Sequence, residues 1–76
     1  MQITVNGEQP FKSQRGTFCV AGTTNGYTLN YSADKENWTA YEEDTPANET
    51  LIVNGVTPYM WFKLEGNTDE ETLIIV

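Results

Sequence analysis

The stretch Tyr27-Thr-Leu-Asn-Tyr-Ser-Ala-Asp-Lys-Glu-Asn-Trp-Thr-Ala-Tyr41 decides the fold. Tyr27, Leu29 and Tyr31 alternate with Thr28, Asn30 and Ser32. Successive side chains of a strand point to opposite faces, so this period of two describes a half-buried strand. Ala33 to Asn37 is polar and rich in turn formers. Trp38 to Tyr41 then returns as the partner strand. The stretch is a β-hairpin.

The same period runs outward in both directions. Met1, Ile3 and Val5 alternate with Gln2 and Thr4, and Asn6-Gly7 makes a turn. Pro10-Phe11 opens a polar stretch ending at Gly16, and Thr17 to Val20 reads as a short strand. Beyond the hairpin, Glu42 to Asn48 reads as an acidic loop and Thr50 to Val53 as a strand. Tyr59 to Leu64 is the next strand, with Met60, Phe62 and Leu64 on the core face and Tyr59, Trp61 and Lys63 on the other. Gly66 to Glu71 is a second acidic loop. Thr72 to Val76 is the last strand; it is apolar on both faces, so it is central in its sheet or covered by another chain. No segment keeps helical spacing over ten residues. Turn signals recur about every ten residues, as in sandwiches and barrels. The expectation is a single all-β domain over residues 1–76, a small antiparallel β-sandwich or barrel of about seven strands. Strands reaching both termini point to a whole gene product.

Composition narrows the function. Against 11 acidic residues stand 4 basic ones, for a net charge of −7. This argues against sequence-independent nucleic-acid binding, which needs a basic surface. No apolar run suits a membrane-spanning helix, and the N-terminus lacks the basic and apolar regions of a signal peptide. A core this small barely offsets the entropy of ordering the chain, and the single cysteine makes no internal disulfide. A partner, either copies of the same chain or a larger assembly, is therefore expected.

Few residues suggest catalysis. There is no histidine, which removes the commonest general base and makes a zinc site remote. Cys19 lies between Phe18 and Val20 and reads as a small buried hydrophobe. The carboxylate runs Glu42-Glu43-Asp44 and Asp69-Glu70-Glu71 sit in loops and read as solvated charge. Asp34-Lys-Glu36-Asn37 has oxygen ligands but not the order of a calcium loop. The expectation is a non-enzymatic protein with no cofactor and no metal. Trp38, Tyr41, Tyr59 and Trp61 are the more informative set, since exposed aromatics mark interaction sites and buried ones fill cores.

The hairpin from Tyr27 to Tyr41 resembles a recurring pattern, Y-x-L/I-x-Y-S-x-D-x-x-x-W/F-x-x-Y. Discoidin-type carbohydrate- and lipid-binding domains carry a similar hairpin, as do small virion proteins of tailed bacteriophages. The stretch from Asn48 to Asn67 is similar to the later part of such phage proteins. There a V-x-G-x-P strand end leads into an aromatic strand closing in K/R-L. Discoidin domains are about twice this length, so the resemblance favours capsid-decoration, or auxiliary head, proteins. It implies a structural protein made in the host cytoplasm and located on the virion surface. Its partners would be the major capsid protein or other virion proteins, in a homo-oligomer such as a trimer, with no nucleic acid and no membrane. Tyr59, Trp61, Lys63, Leu73 and Ile75 are the interface candidates. The alternative is a carbohydrate-binding or adhesion module with Trp38, Tyr41 and Trp61 as a stacking platform. An inhibitor acting through its negative charge ranks third.

Overall fold

The structure is a computed structural model that describes residues 1–13, 16–55 and 60–75. The described residues form eight strands: β1 (Gln2–Val5), β2 (Phe11–Lys12), β3 (Phe18–Val20), β4 (Tyr27–Ser32), β5 (Thr39–Thr45), β6 (Leu51–Val53), β7 (Trp61–Glu65) and β8 (Thr72–Ile75). They form two four-stranded antiparallel sheets, ordered β1-β8-β3-β6 (sheet A) and β2-β7-β4-β5 (sheet B). The chain crosses between the sheets at every connection except the β4–β5 hairpin. This is the strand order of a jelly roll, the double Greek key that closes two facing sheets around one core.

The alternation read from the sequence sets the inner faces. Phe62, Leu64 and Leu29 of sheet B and Val20, Val53 and Ile74 of sheet A are fully buried. Phe18 spans the two layers: its ring lies 5.6 Å from Phe11 and 4.7 Å from Phe62, edge-on in both cases, while Phe11 stacks on Phe62 at 5.9 Å. Such pairs add roughly 0.5–1.5 kcal/mol each beyond the area they bury.

Two expectations change. The strand Phe11–Lys12 was expected to be part of a polar stretch; it pairs with Phe62 and Trp61 because Phe11 belongs to the core. The run Glu42-Glu43-Asp44 was expected to be a loop, yet β5 continues through it to Thr45. β5 is an edge strand whose residues from Thr39 to Asp44 are all exposed, so its carboxylates stay solvated. A register shift between Tyr27 and Leu29 and a positive φ of 54° at Asp44 accommodate it. β8 is central, between β1 and β3, with Thr72 and Ile74 inward and Leu73 and Ile75 outward.

The connections collect at one end. Gly7 N donates to Asp69 O at 2.8 Å, Thr24 N to Asp69 Oδ2 at 2.7 Å, and Asn48 N to Thr23 O at 2.9 Å. Asn67, buried, donates to Gly7 O and Thr72 Oγ1, both at 3.0 Å. This loop end locks the β1–β2, β3–β4, β5–β6 and β7–β8 connections together. At the opposite end of sheet B, Lys12, Trp61 and Ser32 share one row.

Candidate functional site

The two outer faces differ in chemistry. The strands of sheet A contain no charged residue. Their outward positions include Ile52, Ile75, Leu73 and Cys19, and the register puts Ile52, Cys19 and Ile75 side by side across three strands. Ile52 is 64% exposed, Ile75 42% and Leu73 36%; among the described residues every exposed large hydrophobe except Tyr41 lies on this sheet or at its Met1 end. Cys19 is half-buried on that row, not the buried hydrophobe expected.

Sheet B carries the charge. Trp61 and Lys63 project outward from β7, out of phase with Phe62 and Leu64. Lys35 Nζ sits over the Trp61 ring at 4.3 Å and Lys12 Nζ over the same ring at 5.2 Å, while Lys63 Nζ lies 4.6 Å over Trp38. All the lysines of the chain thus rest on its two tryptophans. Arg15 and Tyr59 lie outside the described residues.

The β4–β5 turn positions this cluster. Ser32 Oγ accepts from Asp34 N at 3.1 Å and Lys35 N at 2.9 Å, and donates to Asp34 Oδ1 at 2.8 Å. Asp34 Oδ1 also accepts from Glu36 N at 2.8 Å and Asn37 N at 2.9 Å, and Oδ2 from Asn37 Nδ2 at 2.8 Å. The backbone donors of Asn37 and Glu36 come first among the causes that hold the Asp34 carboxyl well below the usual carboxylate range. Lys35, at a positive φ of 66°, turns its carbonyl to accept from Trp38 Nε1 at 3.2 Å. The turn therefore fixes both the ring of Trp38 and the root of Lys35.

The interface candidates therefore divide. Trp61 and Lys63 stand on the outer face of sheet B; Leu73 and Ile75 stand on the outer face of sheet A, across the core. They do not form one surface. The sugar-platform candidates divide as well: Trp38 and Trp61 share a face, with ammonium groups over their rings, whereas Tyr41 donates through its hydroxyl to Asn54 O, 3.1 Å away at the end of β6. Sequence reasoning did not bring in Ile52, whose neighbours on β6 are equally apolar, or Lys12 and Lys35, which reach Trp61 only through the fold.

A shallow depression of about 330 Å³ opens at the loop end, lined by Tyr27, Asp44, Thr45 and Glu65 among others. The hydroxyls of Tyr27 and Thr45 are sealed beneath the surface and make no hydrogen bond among the described residues. Burial first, then the neighbouring Cys19, pushes Tyr27 up to about 12; the nearby Thr45 hydroxyl lowers it and Glu42, the smallest influence, raises it. Among the described residues no group of three or more cysteine or carboxylate side chains is placed to hold a metal ion.

Compared with protein-family models, with curated proteins and with solved structures, the chain matches none. Its own geometry therefore carries the functional argument.

Proposed function

We propose that this is a non-enzymatic structural virion protein, a capsid-decoration or auxiliary head protein that binds an assembled shell and stabilises it or anchors fibres. The observation that carries the reading is the charge-free outer face of sheet A, apolar across β8, β3 and β6 and bordered by Gln2 and Thr4 of β1, in a chain of net charge −7. Large exposed apolar patches mark protein contacts. Here Ile52, Ile75 and Leu73 form the patch, while the acidic residues keep the free subunit soluble. Each contact is small, and many copies on a repeating lattice need little affinity apiece. The jelly-roll order supports the reading by analogy only, since capsid and lectin domains both use it.

The test is fractionation of the source lysate on a density gradient with mass spectrometry of each fraction. The expected result is banding with megadalton particles at a fixed ratio to the major shell protein. Confinement to the light, soluble fractions overturns the proposal. A carbohydrate module instead predicts quenching of tryptophan fluorescence by saccharide, which the decoration reading does not.

A further inference from the structure

Charge is separated along sheet B as well as between the sheets. Lys12, Lys35 and Lys63 lie in the half of the sheet that ends at Ser32 and Trp61. Every acidic residue except Asp34 and Glu36 lies in the other half or in the loops tied there. None of the lysines pairs with a carboxylate among the described residues; their ammonium groups rest on indoles. Several acids of the loop end are already engaged, Glu8 by Gly66 N, Glu65 by Asn30 Nδ2 and Asp69 by Thr24 N. Glu42, Glu43 and Asp44 are exposed on the edge strand, and among the described residues no side-chain hydrogen bond ties up their carboxylates.

We infer that the Lys12–Lys35–Lys63 face, floored by Trp38 and Trp61, receives the Glu42-Glu43-Asp44 edge of a second copy. Within one copy none of these lysines is ion-paired with that edge among the described residues, so both surfaces are free to meet between copies. The contact is heterologous and builds a ring if its rotation closes and a row if it does not. An ammonium held over an indole is partly desolvated already and gives up only a weak attraction when it turns to a carboxylate. The exposed pairs are individually weak, so the contact is weak as well, with a Kd of about 5 mM or above. Two chains of charge −7 also repel as wholes. At 0.15 M salt the screening length is about 8 Å, short against the 27 Å extent of the molecule. Distant repulsion is then screened while contact pairs persist. Association is therefore strongest at intermediate salt and falls about tenfold or more by 1 M.

The experiment is sedimentation velocity of the isolated full chain across a concentration series reaching the Kd of about 5 mM, so it needs no capsid. The wild type is expected to associate reversibly with that salt optimum. A K12E/K35E/K63E variant and an E42K/E43K/D44K variant are each expected to remain monomeric. An equimolar mixture of the two is expected to associate, because each supplies the surface the other lacks. The acid-to-lysine variant brings the chain close to neutrality, so its failure to associate alone separates a specific contact from relief of general repulsion. A wild type that is monomeric at every salt concentration overturns the inference. So does an acid-to-lysine variant that associates alone as well as the wild type, or association abolished by Ile52→Lys on sheet A but by neither charge variant. Circular dichroism of each variant confirms that it is folded.

Discussion

Replacing Ile52 and Ile75 by threonine separates docking from folding. Full burial of an isoleucine is worth about 1.5–3 kcal/mol. Ile52 keeps 64% of its surface exposed and Ile75 42%. Covering what remains exposed therefore yields about 2–3 kcal/mol for the pair. Threonine retains one methyl and the β-branched shape that strands favour, so the loss is smaller, about 1.3–2 kcal/mol. That is roughly 10- to 30-fold in affinity for whatever covers sheet A. The free chain should scarcely notice Ile52→Thr, which falls within about 0.5 kcal/mol. Ile75, more buried, gives up to about 1 kcal/mol. The assay is copy number per particle at limiting protein, with urea unfolding of the free variant as the control. A folded double variant with unchanged copy number refutes sheet A as the docking surface. A loss seen instead with Trp61→Ala moves the surface to sheet B.

Other consequences are local. A Cβ on Gly26 would lie 2.8 Å from the Thr45 carbonyl oxygen, backbone within a paired strand; Gly26→Ala should cost about 1–3 kcal/mol and lower Tm by at least about 5 °C in a thermal melt. Tyr27 ionises with a raised pKa, so its contribution is fully present below its unfolded value of 10.0 and is lost as pH rises toward about 12. Tyr27→Phe should remove that alkaline loss in urea titrations at pH 8 and pH 11. It should cost little at neutral pH, because the hydroxyl makes no hydrogen bond among the described residues. Asp34 is shifted the other way: its contribution is present above its unfolded value of 3.8 and is lost as pH falls. Asp34→Ala should speed amide exchange at Glu36 and Asn37 at neutral pH, and unchanged rates there would remove the carboxylate from the account of the turn.

Much of the fold is legible because burial imposes alternation. Tyr27, Leu29 and Tyr31, and Phe62 with Leu64, announce their inner faces directly. β2 does not, since two residues are too few to show a period and only the core shows what Phe11 is for. β5 hides for the opposite reason: an edge strand exposed on both faces has no apolar phase, so its acidic run looks like a loop. The assignment of strands to sheets is also hidden. The out-of-phase positions of Trp61 and of Leu73 are readable within each strand, yet only long-range pairing puts them on opposite sides of the core. The same holds for the lysines. Lys12 and Lys63 each flank a core phenylalanine, a local sign of an outward side chain, but their convergence with Lys35 on two indoles needs the whole of sheet B.

The sheet-by-sheet division of charge gives the two surfaces opposite responses to salt. Apolar contact on sheet A carries no ion pairs to screen, and salts that strengthen burial tighten it. Contact through the lysine face weakens as the screening length shrinks toward about 3 Å at 1 M. If the shell is gripped by sheet A and neighbouring copies by sheet B, a 1 M wash leaves the protein on purified particles while dissolving its association in free solution. Protein stripped by that wash would mean that the lysines hold the shell, and the roles assigned to the two sheets would have to be exchanged. A protein lost from the particle only when Ile52 and Ile75 are replaced, at low and high salt alike, would leave sheet A as the grip and restrict the lysine face to contacts between copies.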